Sequence, residues 1–224
     1  MNASYKLTVD FQHYWRCGTG KSAGSFVDAT ADLDRFGCPF VAGSMLKGLL
    51  RDAVYKTCSW NSAGLTKPQG CEPGNVVEIL FGSNAFSEKA PVNDTRPGIL
   101  RIDDATLPDK TRHWLFHNAK HRNAMFRPFY TTAIDAESGI AQKDSLRGEM
   151  VVVPMKLTGR LSVEDANDVA GSTAPSEDTD QEHNAWVVEH HKQLLTTALP
   201  MIRWLGGSRT RGLGRCQLVM EAVS

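Results

Sequence analysis

Apolar and polar residues alternate from Tyr5 to Phe11, with Tyr5, Leu7, Val9 and Phe11 set against Lys6, Thr8 and Asp10. A period of two predicts a half-buried strand. Gly18 to Gly24 is rich in glycine and serine and predicts a loop. From Ser44 to Tyr55 the period changes. Met45, Leu46, Leu49, Leu50, Ala53 and Val54 share one helical face, with Ser44 placed to cap it. Thr57 to Asn75 is rich in Gly, Ser, Asn and Pro, and Val76 to Phe81 is a short apolar run ending at Gly82. Ile99 to Leu107 reads as a strand with Asp103 and Asp104 near its end, whereas Lys110 to Pro128 has no clear period. Met150 to Val163 predicts a strand or a bent pair of strands, with Pro154 at an edge or bulge. A second long helix runs from Trp186 to Trp204 on Val187, His190, Leu194, Leu195, Ala198 and Ile202. Pro200 kinks or shortens it, and Gly206 and Gly207 end it. Cys216, Leu218, Met220 and Ala222 alternate in a final strand.

Strand, helix, strands, helix, strand is an α+β order. It matches the split βαββαβ, ferredoxin-like arrangement with long insertions. No internal repeat divides the chain, so residues 1–224 are expected to form one elaborated domain. Its insertions fall at 57–75 and 108–148, and an exposed acidic loop occupies 162–185.

Composition narrows the class without choosing a function. The 224 residues are 41% hydrophobic and 22% charged, an ordinary globular balance. No apolar run approaches a membrane span, and the N-terminus lacks the pattern of a secretory signal. With no signal, the five cysteines (Cys17, Cys38, Cys58, Cys71, Cys216) are expected as reduced thiols in a cytoplasm.

The 25 basic and 25 acidic residues cancel, which taken alone argues against a protein that grips nucleic acid. The cancellation is an average. Ser162 to Ala185 holds seven acids and no Lys or Arg, so the remainder carries a net charge of about +7. Lys110 to Thr132 holds Lys110, Arg112, Lys120, Arg122 and Arg127 and no acid; Arg203 to Arg215 holds Arg203, Arg209, Arg211 and Arg215, again with no acid. Lys47 and Arg51 lie one helical turn apart and project together. Glycines beside such patches let a phosphate backbone approach the main chain.

Three other motifs compete. Gly20-Lys21-Ser22 suggests a phosphate-binding loop, but Trp15 stands where the first glycine belongs. Ser44-Met45-Leu46-Lys47 matches the S-x-x-K of penicillin-recognising acyl enzymes without its companion triplets, and a helix cap is the simpler role for Ser44. His113, His117 and His121 would line one helical face, and Cys58 and Cys71 could join them around a structural zinc; a wet basic surface is the alternative. A stand-alone metal-dependent or acyl-transfer enzyme is the corresponding function. Cys17 and Cys38, near glycine loops, read better as buried small side chains than as reactive thiols.

Phe36-Gly37-Cys38-Pro39-Phe40-Val41-Ala42-Gly43-Ser44-Met45-Leu46-Lys47-Gly48-Leu49-Leu50-Arg51 resembles the G-x-P-[YF]-[IV]-P-G-S-x-[LI]-K-G-x-x-R signature of the RAMP superfamily, RNA-binding proteins of CRISPR effector complexes. Ala42 replaces the signature proline. Leu80 to Ser83, Gly98 to Ala105 and Thr132 to Ala141 are similar to the family's L-F-G-S, G-x-L-x-[FI]-x-D-A and I-D-x-x-T-G-x-A segments, and Gly206 to Arg215 to its C-terminal glycine-rich loop. The likeness is greatest to backbone subunits of type III complexes of the Csm, Cmr and III-D kinds.

The resemblance implies a modified RNA-recognition fold with a β-hairpin thumb, for which Ile134 to Ser145 is the candidate. It implies a guide-RNA (crRNA) contact through Lys21, Gly43, Ser44, Lys47, Arg51, Arg127, Gly207, Arg209, Arg211 and Gly212. Its partners would be guide RNA, complementary target RNA, and paralogous backbone, large and small subunits, with no membrane. Asp28 stands six residues before Asp34, the family's spacing for an aspartate that cuts target RNA with a divalent metal, magnesium or manganese. This would be a metal-dependent endoribonuclease acting only within the assembled complex. A non-catalytic architectural paralogue is the alternative.

Overall fold

The computed structural model describes residues 3–18, 29–83, 96–164 and 178–223. The alternation at the N-terminus becomes strand β1, Ala3–Phe11, with Tyr5, Leu7, Val9 and Phe11 buried. Strand β2 is Leu100–Ile102, and the ribbon strands β3 and β4 are Phe126–Thr131 and Arg147–Val152. Strand β5 is Lys156–Val163 and β6 is Cys216–Ala222. Four of these form one sheet in the order β2-β5-β1-β6, with every neighbouring pair antiparallel. The register sets Leu7 opposite Gly159 and Val9 opposite Leu218, so the buried apolar side chains point to one face, while Val219, opposite Thr8, is exposed on the other. The other face carries Ser4, Lys6, Thr8, Thr158 and Arg160.

Helices α1 (Gly43–Ser59), α2 (Pro73–Phe81) and α5 (Asp178–Ala198) pack against one another and share one core with the sheet. Leu46, Leu50, Ala53 and Val54 of α1 and Val187, Leu194 and Leu195 of α5 lie in it, as their period requires. The molecule is thus mixed α+β with antiparallel sheets.

Some expectations change. Ser44 does not cap α1. Ala42 takes that position without a side-chain bond, and the Asp104 carboxylate accepts the Gly43 N–H at 2.8 Å instead. A cap supplied by a residue distant in sequence leaves no local signature. The run Val76 to Phe81 is helical, because Pro73 opens α2 and Glu72 and Asn75 form a reciprocal capping box. The strand expected from Ile99 to Leu107 is regular only through Ile102; Ala105 then bridges Val41 and Thr106 bridges Thr158. Lys110 to Pro128 contains two short helices, α3 (Asp109–His117) and α4 (Ala119–Asn123), and the start of β3.

Met150 to Val163 is a bent pair, since β4 and β5 belong to different sheets with Pro154 between them. The second long helix starts earlier than its apolar pattern, at Asp178, and ends at Ala198. Pro200 sits in a 3-10 turn, Leu199–Met201. The segment expected at 57–75 is the last turn of α1, a loop and the start of α2. Three side chains of α5 pin that loop: Trp186 Nε1–H donates to the Thr66 carbonyl, Gln193 to that of Ala63, and His183 Nε2 lies 3.2 Å from the Gln69 oxygen. Most of the acidic stretch 162–185 lies outside the described residues.

Trp15 joins the two sheets. It is fully buried, stacks on Phe11 with ring centroids 4.2 Å apart, and donates Nε1–H to the Val153 carbonyl. Its main chain exchanges two hydrogen bonds with Val152 of β4. The β3–β4 ribbon continues to a bridge between Ile134 and Ala141. There the Asp135 carboxylate accepts the Glu137 and Ser138 N–H groups and the Ser138 hydroxyl. The bonds from Ser138 hold its carboxyl below the usual range. Gly139 supplies the positive φ that this turn needs.

No described helix is long and apolar enough to cross a membrane. All five cysteines are free and buried. Burial pushes the Cys17 and Cys216 thiols up to about 12, with the nearby Cys216 adding to the effect at Cys17. At pH 8 such a thiol is ionised to about one part in ten thousand. Iodoacetamide should therefore modify Cys17 and Cys216 only as fast as the chain unfolds, with urea near the unfolding midpoint releasing the reaction. Rapid labelling of both in the native protein, read by mass spectrometry, would contradict this.

Candidate nucleic-acid interface

The loop before α1 is organised by Asp34. Its Oδ1 accepts the Phe36 and Cys38 N–H groups, both at 2.9 Å, and its Oδ2 receives Arg112 Nη1 at 3.2 Å. Its main chain closes the turn with Cys38 and Gly37, where φ is +72°. Arg112 also pairs with Asp109 and lies over the Phe36 ring. Asp34 therefore braces the loop. Asp28 and Lys21 lie outside the described residues.

Gly43 is glycine for reasons of packing. A Cβ there would stand 2.3 Å from the Ile102 carbonyl oxygen, so the N-terminus of α1 sits directly against β2. Ser44 is exposed on the first turn. One turn on, Lys47 is half-buried, and burial first, then Arg101 and Arg51, lower its pKa. An ammonium crowded by two guanidiniums is relieved by an arriving anion. Arg51 has a second role, since Nη1 donates to the Gly82 carbonyl at 3.0 Å. That glycine ends α2 at φ +98°, within the L-F-G-S segment.

The glycine-rich loop is also built from close approaches. Gly206 (φ +90°) and Gly214 (φ +78°) would place a Cβ 2.3 Å from the Arg16 oxygen and 2.0 Å from the Leu205 oxygen. Gly207 N–H donates to the Arg16 carbonyl, and Gly214 N–H to that of Tyr14. Between them Arg209–Arg211 form a 3-10 turn flanked by Ser208 and Gly212, both left-handed. Only open space surrounds a Cβ at Gly212. Arg209 and Arg211 are exposed, and Arg211 Nη1 is 3.1 Å from Thr131 Oγ1.

The carboxylate beneath this turn was not legible in the sequence. Glu149 of β4 accepts Arg16 Nε at 3.0 Å and the Ser208 hydroxyl at 2.9 and 3.0 Å, with Arg211 Nη1 3.7 Å away. Arg127 is exposed, but its Nη1 is spent on the Ala124 and Phe126 carbonyls.

A groove of about 630 Å³ lies between Thr30 and Ala31, Arg35 and Phe36, and Phe116 and Arg122. An apolar aromatic floor rimmed by guanidiniums suits the face of a nucleobase. Hydropathy periodicity gave no sign of it, because its walls come from separate segments.

The zinc set is not assembled. Asn118, at φ −123° and ψ 69°, breaks the helix, placing His113 and His117 on α3 but His121 on α4. The three rings pack on Phe36, Phe116 and Trp114 respectively. Cys58 and Cys71 belong to the main core and line a different cavity, of about 520 Å³. Among the described residues no three metal-ligating side chains converge.

Residues 8–217 match the RAMP superfamily. The chain belongs to this superfamily. Among solved structures, a chain of the type III-B Cmr-beta complex bound to cognate target RNA superposes with a TM-score of 0.61 at 13% identity, covering 97% of this RAMP chain and 96% of that one. A chain of the same complex in its apo state gives 0.56 at 13% identity, with 97% of each covered. At that identity the likeness is one of fold. No curated protein sequence matches the RAMP chain.

Two predictions separate packing from contact. Gly214→Ala should cost more than about 2 kcal/mol, because steric overlap adds to the left-handed penalty, whereas Gly212→Ala should cost only about 1 kcal/mol. Urea denaturation measures both, and equal losses would refute the distinction. Lys47→Ala and Arg51→Ala should each weaken RNA binding uniformly across sequences and reduce the salt slope by about one. Only Arg51→Ala should also lower stability, by about 1–2 kcal/mol, through the bond lost to Gly82.

Proposed function

We propose that the chain is a guide-RNA-binding backbone subunit of a type III CRISPR ribonucleoprotein complex for RNA-guided antiviral defence, working in the cytoplasm. The observation that carries this is the superfamily match along nearly the whole chain, joined to a fold shared with subunits of the Cmr-beta complex. The strand order, antiparallel throughout, supports reading the sheet as a ferredoxin-like, RNA-recognition type of fold. On this reading residues 1–224 form one domain and the β3–β4 ribbon with its turn at Asp135 is the thumb. Lys47, Arg51, Arg209 and Arg211 hold guide phosphates, Ser44 and Gly212 let the backbone approach, Gly207 serves the same surface from its place against the Arg16 side chain, and Lys21 and Arg127 add charge. Gly43 serves the same surface by seating α1. The partners are guide and target RNA, paralogous backbone subunits, and the large and small subunits.

Asp28 is the proposed cutting residue, helping to activate a 2′-hydroxyl of the target, which loses its proton and attacks the adjacent phosphorus as the bond to the next nucleotide's 5′-oxygen breaks and that oxygen takes up a proton. The carboxylates of Asp34 and Glu149 are occupied by protein donors. Asp28 would hold a magnesium or manganese ion, which would supply neutralisation of phosphate charge. A non-catalytic architectural paralogue is the second reading, on which Asp34 serves only as the brace of its loop.

Sequencing RNA that co-purifies with the assembled complex should yield guides with a repeat-derived 5′ tag. Asp28→Ala should abolish target cutting at this subunit's position while leaving guide content unchanged. Random cellular RNA would overturn the complex assignment. Undiminished cutting would remove the catalytic role, and an uncut target opposite the wild-type subunit would establish the architectural one.

A further inference from the structure

Among the described residues Glu149 is the only buried acid. A carboxylate out of water is costly unless well paired, so a buried ion pair is weak evidence for stability. Its position joins three pieces of chain. Arg16, on the limb leaving β1, donates to it, and the Arg16 carbonyl receives the Gly207 N–H at 2.8 Å. Ala29, on the returning limb, bridges its main chain, with the Met150 N–H donating to the Ala29 carbonyl at 2.9 Å. Ser208 and Arg211 reach it from the glycine-rich turn. Arg211 is held between Glu149 and Thr131 with about half its side chain exposed (47%), which leaves an outer edge for a phosphate.

We infer that Glu149 is a positioning residue for RNA scission, fixing the arginine turn relative to Arg16 and to Ala29, the residue that follows Asp28 in the chain. The inference rests on the reading of this chain as an RNA-cutting subunit. The carboxylate touches neither RNA nor metal in this role. It determines where the Arg211 guanidinium stands relative to Ala29, and so where a bound phosphate lies.

Glu149→Gln keeps the size and one acceptor oxygen but removes the charge that holds both arginines. In the assembled complex, target affinity should stay within about twofold, while the single-turnover cutting rate at saturating target falls at least about tenfold. Hydrogen exchange should accelerate at the Gly207 and Met150 amides and stay unchanged along β1 and β5. A rate within twofold of wild type would overturn the inference, as would parallel loss of affinity and rate with faster exchange throughout the sheet, the mark of a merely structural residue. If the wild-type complex does not cut, or Asp28→Ala cuts normally, the functional reading has failed. Exchange at Gly207 and Met150 then decides whether Glu149 organises the junction, and unchanged exchange there overturns that too.

Discussion

The surface proposed for RNA depends on one buried charge. Arg16, Ser208 and Arg211 arrive from opposite ends of the chain and meet at the Glu149 carboxylate. Arginines assembled to hold a polyanion repel one another before it binds. A single acid beneath them offsets that repulsion and, being buried, does so with little screening by salt. It stays below the surface, so the exposed edge of the turn remains cationic. The same economy operates at Asp34, where one carboxylate ties Arg112 into the loop while two backbone N–H groups shape the turn.

At α1 the positive charge is handled differently. Lys47 sits beside Arg101 and Arg51, and burial adds to their effect on its ammonium. Arg51 is partly engaged by Gly82, and Arg101 pairs with Glu164 in an exposed contact of modest strength. What remains uncompensated is concentrated at Lys47. The zero net charge of the chain conceals this arrangement, because seven of its acids lie in one stretch from Ser162 to Ala185.

What was legible in the sequence followed from period. β1, α1, the apolar part of α5 and β6 each bury a continuous face, and the face is written locally in residues two or three to four apart. The bend at Pro154 was legible because proline cannot serve a central ladder. Readings failed where the decisive partner lies far along the chain. Ser44 was displaced as a cap by Asp104, and the common face of the three histidines was broken at Asn118. Glu149 has no local signature, since its three side-chain partners are remote in sequence. Val76 to Phe81 was open for another reason: an apolar run of that length suits a strand or a helix, and the capping residues before it decide.

The glycines of the family segments show how far a motif can be from the contact it predicts. A signature glycine beside a basic residue invites the idea that RNA fills the space left by the missing Cβ. At Gly43, Gly206 and Gly214 the protein's own backbone occupies that space, at distances no side chain tolerates. These glycines let α1 seat against β2, and let the arginine turn seat against the segment carrying Arg16. At Gly212 the surrounding space is open. The motif therefore encodes two constraints of different origin. Gly43, Gly206 and Gly214 permit the chain to approach itself, which fixes the positions of Lys47, Arg209 and Arg211; Gly48 and Gly212, with open space around them and cations beside them, retain the geometry for close approach by a phosphate.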